Sequence, residues 1–128
     1  MHDTPENNPD RRQRLEQVPS PVAILRSGIY VYANPAYLEL FGHRDFSEIK
    51  DKPVLNTVKT RARDRFTKHI EEAEGTSTID HTFPPARISL VRRDGSRLHI
   101  KASFKPCTFD GDSCVEMWLG NKQENASG

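Results

Sequence analysis

Two short apolar runs separated by a turn stand out in the first third of the chain. Residues 22–25 read VAIL and residues 29–33 read IYVYA, which is the β-branched and aromatic composition of strands. Ser27 and Gly28 lie between the two runs. Strand-like runs joined this closely predict an antiparallel hairpin.

The second run ends abruptly at Asn34 and Pro35, after which the apolar residues have helical spacing. Asparagine is a favoured N-cap because its side-chain oxygen accepts an unpaired amide of the first turn, and proline is favoured at the first helical position. Tyr37 and Phe41 then share one face, and Gly42 suits a left-handed C-terminal position. The pattern predicts a strand-to-helix corner made at one residue.

Helices are also predicted before and after this corner. Asp10 is a candidate N-cap for a short helix over residues 10–18, whose apolar residues are only Leu15 and Val18. So narrow a stripe must pack on another surface to be stable. After the corner, the pattern predicts a short turn over FSEI and a longer helix over residues 57–74 that Gly75 ends.

The last third of the chain contains two Asp-Gly turns, and the apolar pattern fixes the register of its strands. A three-residue loop with a glycine bulge at Gly95 places six apolar residues on one face. The predicted pairs are Leu90–Leu98, Ile88–Ile100 and Ala86–Ala102.

The second turn, at Asp110 and Gly111, favours a symmetric two-residue loop. This register continues the apolar inner face and places an opposite-charge pair on the outer face. The predicted pairs are Phe104–Met117 and Ala102–Leu119 inside, and Lys105–Glu116, Ser103–Trp118 and Cys107–Cys114 outside.

Together these elements predict an α+β fold in one domain. We expect a five-stranded antiparallel sheet with short helices and one longer helix packed on one face, plus an N-terminal helix. Residues 1–9 are expected to be a disordered tail, and residues 10–122 the domain, with residues 10–18 as its cap helix. Residues 123–128 are expected to be a polar tail or linker.

Composition excludes several classes of function. The net charge is +1, from 19 basic and 18 acidic residues, which gives no electrostatic footprint for nucleic acid or a membrane surface. No apolar run is long enough to span a membrane, and the first residues lack the apolar stretch of a secretory signal. We therefore expect a cytoplasmic protein.

The segments PVAIL…GIYVYANPAYLELFG and LVRRDGSRLHI…FDGD…VEMW, in this order and spacing, resemble a PAS domain over residues 21–122. ANPAYLELFG followed by DFSEI is most similar to PAS domains attached to the bacterial enzymes of cyclic-di-nucleotide (cyclic-di-GMP) signalling, diguanylate cyclases and phosphodiesterases. The resemblance implies a sensory or dimerisation module with a small internal cavity, which controls an attached or partner output domain. The chain departs from linked PAS domains in lacking an Asp-x-Thr signature after the last strand.

The inward-facing residues are apolar, so a cavity among them would suit an apolar or aromatic ligand held without covalent bonds. A filled core, and with it a ligand-free interaction module, is the alternative. The candidate pocket lining is Tyr37, Phe41, Phe66, Ile70, Ile88, Leu90, Ile100, Phe104 and Met117.

The resemblance also indicates which PAS cofactors to expect, because flavin-binding and haem-binding PAS domains carry characteristic residues. Light-sensing flavin PAS domains carry a reactive cysteine in a helix, whereas the cysteines here lie at 107 and 114, in the last hairpin. Haem-binding PAS domains carry a histidine on the long helix; Arg63 occupies the matching position, and His69 lies nearly two turns later. We expect neither a flavin photoadduct nor haem, and no metal.

Other polar residues give weaker signals. His43, Asp45, His81 and His99 fall in separate loops and on an outer strand face without a nucleophile, so we expect no catalysis; a small-cavity enzyme is the less favoured alternative. The run RARDR at 61–65 has the charges to bind an anionic partner, although such alternation is more often a solvated helix face.

Cys107 and Cys114 are predicted to be direct cross-strand neighbours, at a Cα separation of about 5.5 Å. That separation lies within disulfide range, although cytoplasmic thiols are usually reduced. A redox switch at this pair is therefore a hypothesis beside the structural interpretation.

Trp118 is predicted to lie on the outer face of the sheet, where it needs a cover. The N-terminal helix, through Leu15 and Val18, is the natural cover within one chain. Because two apolar residues cover little area, we favour a homodimer through this helix and face.

Overall fold

The computed structural model describes residues 9–74 and 85–120 of the 128-residue chain. Its elements are α1 (Pro9–Gln17), β1 (Val22–Arg26), β2 (Ile29–Ala33), α2 (Pro35–Phe41), α3 (Arg63–Glu74), β3 (Ala86–Val91), β4 (Arg97–Phe109) and β5 (Asp112–Leu119). Three 3-10 turns lie between α2 and α3, at Phe46–Glu48, Val54–Thr57 and Thr60–Ala62. The strands form one antiparallel sheet in the order β2-β1-β5-β4-β3, which confirms the predicted α+β fold.

The two-residue turns of the sheet have the left-handed backbone conformation that their sequences predict. Ser27 and Gly28 have φ angles of 53° and 77°, and Asp110 and Gly111 have 53° and 86°. Two consecutive left-handed residues match the twist of the flanking strands. All the strand pairs predicted for the last third are present, including Leu90 opposite Leu98 across the loop that ends at Gly95.

Asn34 makes the corner between β2 and α2, and its side chain is fully buried. Its Oδ1 accepts the amide of Tyr37 at 3.0 Å, which confirms the predicted N-cap, and also accepts the amide of Val22 at 3.0 Å. Its Nδ2 donates to the carbonyl oxygens of Leu15 and Ser20, both at 2.9 Å, and of Val18 at 3.3 Å. The cap of α2 therefore also holds the segment that connects α1 to β1.

The other predicted features of α2 are also present. Pro35 is its first residue, and Gly42 follows it in the left-handed conformation with a φ angle of 84°. The Gly42 amide donates to the carbonyl of Glu39, so the helix ends where the sequence indicated.

Apolar side chains form one layer on each face of the sheet. The inner layer lies between the sheet and α2, α3 and the 3-10 turns, and contains most of the large aromatic residues. The outer layer is smaller and contains Leu15 of α1, and Val18, the residue that follows α1, packs against it partly buried. Its other members are Val22, Ile24, Tyr32, Cys107, Phe109, Cys114, Val31 and Trp118.

Two helix boundaries differ from the prediction. α1 begins at Pro9, so Asp10 lies inside the helix rather than at its N-cap. α3 begins at Arg63 rather than at residue 57, because Val58 has extended backbone and forms a bridge with Leu90 of β3. Gly75, the predicted end of that helix, lies outside the described residues, as do residues 1–8 and 121–128.

We predict that Asn34→Ala and Asn34→Asp destabilise the fold in different ways. The alanine variant loses every side-chain bond of a buried residue, which is expected to lower the free energy of unfolding by about 3 kcal/mol or more. The aspartate variant keeps both acceptor bonds but places a carboxylate against three carbonyl oxygens. Burial beside these oxygens raises the pKa of that carboxyl in the folded state.

The folded aspartate variant therefore holds its proton more tightly than the unfolded chain does, and its stability falls as pH rises above about 4. Urea unfolding at pH 4 and pH 7 checks this. The stability gap to the wild type should widen at pH 7 for Asn34→Asp and stay constant for Asn34→Ala. An equal gap at both pH values would contradict the donor role of Asn34.

Candidate functional site

The sequence-predicted pocket residues all belong to the inner layer. Eight of the nine are buried, and Ile100 packs against them partly exposed. The rings of Phe66 and Phe104 meet edge to face with centroids 5.6 Å apart, and those of Tyr37 and Phe41 stack at 4.6 Å. The structure thus brings the predicted lining residues together in one packed cluster.

A chain of hydroxyl groups crosses this layer, which the apolar pattern did not indicate. Thr57 Oγ1 donates to the carbonyl oxygen of Val54 at 2.7 Å. Since Thr57 has one hydroxyl proton, its oxygen accepts from Tyr30 Oη at 3.1 Å, and Tyr30 accepts in turn from Tyr37 Oη at 2.5 Å. Tyr30 is the central member, because its hydroxyl donates to Thr57 and accepts from Tyr37.

Burial keeps both phenols protonated. It raises the pKa of Tyr30 above the usual value, with the Thr57 and Tyr37 hydroxyls acting in the opposite direction. Burial, followed by the neighbouring Tyr30, raises the pKa of Tyr37 well above its usual value. The chain of hydroxyls is therefore a neutral, bonded network that orders the core.

A groove of about 340 Å³ opens onto the inner layer beside α3. Its apolar walls include Val54 and Leu55 from the second 3-10 turn, and Phe66 and Ile70 from α3. Phe66 and Ile70 also belong to the predicted pocket lining, so this groove and the predicted lining share two residues.

The structure separates the residues considered for acid-base chemistry. His43 Nδ1 lies 3.2 Å from Glu48 Oε1, and its ring stacks against Phe41. His99 bonds Ser89 Oγ on the outer side of the sheet, and His81 lies outside the described residues. Among residues 9–74 and 85–120, no group of three or more His, Cys, Asp or Glu side chains is arranged to hold a metal ion.

The two α3 residues that were compared with the haem-ligating histidine, Arg63 and His69, each contact another part of the protein. Arg63 Nε donates to the carbonyl oxygen of Val58 at 3.1 Å, which closes the turn before α3. The His69 ring stacks on Phe104, with centroids 5.6 Å apart, at the partly exposed edge of the core.

Cys107 and Cys114 are opposite each other, as predicted, and both are buried in the outer layer with no disulfide between them. Burial raises the pKa of Cys114 to about 11, which disfavours the reactive thiolate. Such a pair suits an apolar packing role, and the redox switch stays a hypothesis.

Arg12 contacts the outer layer and so holds α1 in place, in addition to the hydrogen bond from Asn34. The Arg12 guanidinium carbon lies 5.2 Å from the ring centre of Tyr32 and 5.1 Å from that of Phe109. Its Nη2 is 3.7 Å from the Asp110 carboxylate. Sequence reasoning missed this contact, because it depends on two aromatic residues 77 positions apart, Tyr32 and Phe109, that the sheet brings within 5.8 Å.

Trp118 is partly buried at the edge of the outer layer, and its Nε1 donates to Oε1 of Glu116 at 2.9 Å. Glu116 itself is only 3% exposed. Trp118 packs against the same outer layer as Leu15 and Val18 within one chain, and its predicted cover by the N-terminal helix stays a prediction.

The sequence model of the PAS fold matches residues 10–121. The chain belongs to the PAS family. PAS domains are sensory modules of signalling proteins, and this domain has their sheet and helical layer over its whole described length. No curated protein sequence matches the chain significantly. In the part of the chain that the structure describes, no helix has the length and apolarity to span a membrane.

Solved PAS domains share the fold at low sequence identity. The PAS domain of an HTR-like protein from Haloarcula marismortui has a TM-score of 0.67 at 15% identity, over 88% of this chain and 98% of that one. A sensory box histidine kinase/response regulator domain from Geobacter sulfurreducens has a TM-score of 0.65 at 17% identity, over 88% and 91%. The PAS domain of a nitrogen regulation protein from Vibrio parahaemolyticus has a TM-score of 0.63 at 16% identity, over 88% and 97%.

We predict that Tyr30→Phe costs more stability than Tyr37→Phe. Removing the Tyr37 hydroxyl removes one donor from the end of the chain and is expected to cost about 1 kcal/mol. Removing the Tyr30 hydroxyl leaves Tyr37 without its acceptor and Thr57 without its donor, at a cost of about 2 kcal/mol. Urea unfolding of the two variants checks the order. Equal losses would mean that Tyr30 is not the central member.

Proposed function

We propose that this PAS domain is a sensory or regulatory module that forms a homodimer through α1 and the outer face of the sheet, and that it controls an attached or partner output domain. The observation that carries the proposal is the outer apolar layer, which contains Leu15 of α1 and against which Val18, just after α1, is partly buried. Any movement of α1 exposes this layer, and an apolar face of this kind is one that a second copy can cover.

The limited attachment of α1 to the sheet supports such a movement. A nine-residue helix is marginal by itself in water, so its contacts with the sheet keep it folded. In the described part of α1, these contacts are the Leu15 side chain, the Arg12 interactions and the bond from Asn34 to the Leu15 carbonyl. The attachment is local, so α1 can detach without unfolding of the inner layer.

We also propose that the domain binds a small apolar or aromatic ligand through the groove beside α3. The groove has apolar walls and leads to Phe66 and Ile70, which touch the inner core. A ligand there would push α3 away from the second 3-10 turn. Nothing in this arrangement requires a covalent link to the protein.

A ligand-free interaction module is the second candidate. It is favoured by the tight inner layer, in which Tyr30, Tyr37, Phe41 and Phe66 are each at most 1% exposed. Under this alternative the dimer would still form, and the signal would come from a partner protein.

The output domain is a further part of the proposal. Resemblance in the corner motif favours cyclic-di-nucleotide cyclases or phosphodiesterases. The structural neighbours include a domain of a histidine kinase/response regulator, which makes a kinase the other candidate output.

Native mass spectrometry of the purified chain reports the subunit count and any retained molecule in one measurement. We expect it to show a dimer. A dimer with additional mass supports the ligand-sensing form, and a dimer of bare chains supports the interaction module. Leu15→Ser/Val18→Ser should shift the population to monomer, because it removes the two apolar side chains that α1 and the residue after it contribute to the proposed interface.

Gln13→Ser/Gln17→Ser is the matched control, since both side chains are exposed on the same helix. It should leave the dimer intact. A bare monomer from the wild-type chain at tens of micromolar would contradict the proposed dimer, and equal effects of the two double variants would contradict its placement at Leu15 and Val18.

A further inference from the structure

A second groove, of about 560 Å³, lies between the start of α3 and the edge strand β3. We call it the basic groove, because five cationic side chains line it: Lys59, Arg61, Arg65, Lys68 and Arg87. Asp64 is its one acidic lining residue. Phe66 and Ile88 contribute an apolar floor.

The basic groove concentrates charge in a chain that is nearly neutral. It contains five of the 19 basic residues, whereas the whole chain has a net charge of +1. Ion pairs elsewhere in the described residues join Arg12 to Asp110, Arg26 to Asp112, and His43 and Arg93 to Glu48. Arg61, Arg65, Lys68 and Arg87 are all exposed, so their charges are available to an acidic partner.

The edge of β3 adds hydrogen-bonding groups to this charge. Val58 already forms an antiparallel bridge with Leu90, and the Lys59 amide donates to the carbonyl oxygen of Ser89 at 3.1 Å. The Ser89 backbone therefore points away from β4. Because the direction of backbone groups alternates along a strand, the backbone of Arg87 points the same way, into the groove.

We propose that the basic groove binds an acidic, extended peptide segment of a partner protein, which pairs with β3 at Arg87 and continues the bridge begun by Val58. Strand addition supplies main-chain hydrogen bonds, and acidic side chains of the segment meet the cations on both walls. The open strand edge favours a peptide over a phosphorylated small molecule or a nucleic acid, since neither of those uses the backbone groups of a strand.

The site is distinct from the proposed dimer surface. The basic groove involves the start of α3 and β3, whereas the dimer proposal uses α1 and the outer layer. The two proposals can therefore fail independently, and Leu15→Ser/Val18→Ser should leave peptide binding unchanged.

Fluorescence polarisation with a fluorescein-labelled peptide of alternating glutamate and valine tests the proposal on the full chain. The expected result is saturable binding that weakens as salt is added. Arg61→Glu/Arg65→Glu should raise the Kd by about tenfold or more, since it replaces two attractions by two repulsions. Lys50→Glu/Lys52→Glu changes the net charge equally at exposed positions outside the basic groove, and should change the Kd by less than about threefold.

Two further probes separate charge from strand pairing. A glutamate-proline peptide of equal charge lacks the amide proton at every second residue and disfavours a strand, so it should bind at least about tenfold more weakly. Arg87→Ala and Arg87→Pro both remove the charge, but only the proline removes the backbone donor. The proline variant should bind more weakly than the alanine variant. Should it fail to fold, a glutamate-valine peptide with N-methylated amides replaces it.

Several results would overturn the proposal. These are no binding at millimolar peptide, equal binding of the glutamate-proline peptide, or an unchanged Kd for Arg61→Glu/Arg65→Glu. Tighter binding of inorganic triphosphate or of single-stranded DNA than of the peptide would assign the basic groove to a polyanion instead.

Discussion

The buried side chain of Asn34 is the interaction on which the arrangement of the domain depends. A fully buried amide must find partners for both its oxygen and its nitrogen, because an unpaired polar group in the core is costly. Asn34 meets this requirement by accepting the amides of Val22 and Tyr37 and donating to three carbonyl groups of the α1–β1 segment. The start of the sheet, the start of α2 and the end of α1 are thereby fixed to one residue.

Much of the sheet could be predicted because local rules and the apolar pattern agree. Each Asp-Gly turn permits few backbone geometries, and at each turn one register places the apolar residues on a single face. The pairs Ile88–Ile100 and Phe104–Met117 follow from this constraint, and the structure confirms them. Asn34 as an N-cap was predictable for the same reason, since an asparagine followed by a proline is a local signal.

The remaining features depend on contacts between distant parts of the chain. The donor bonds of Asn34 require the segment from the end of α1 to Ser20 to lie beside the corner. α3 starts late because Val58 pairs with Leu90, a tertiary contact that overrides helical periodicity. The run at 61–65 indicated charge, but only the position of β3 turns those residues into one wall of a groove.

The two faces of the sheet suggest a division of roles. The inner layer is large, aromatic and bonded by hydroxyl groups, whereas the outer layer is small and is closed by a nine-residue helix. We infer that α1 detaches separately from the inner layer. Hydrogen–deuterium exchange of the wild-type chain measures this opening. The amides of α1 should exchange through local opening, well before those of β1 and β5. Equal protection of α1 and β5, with exchange by global unfolding alone, would contradict it.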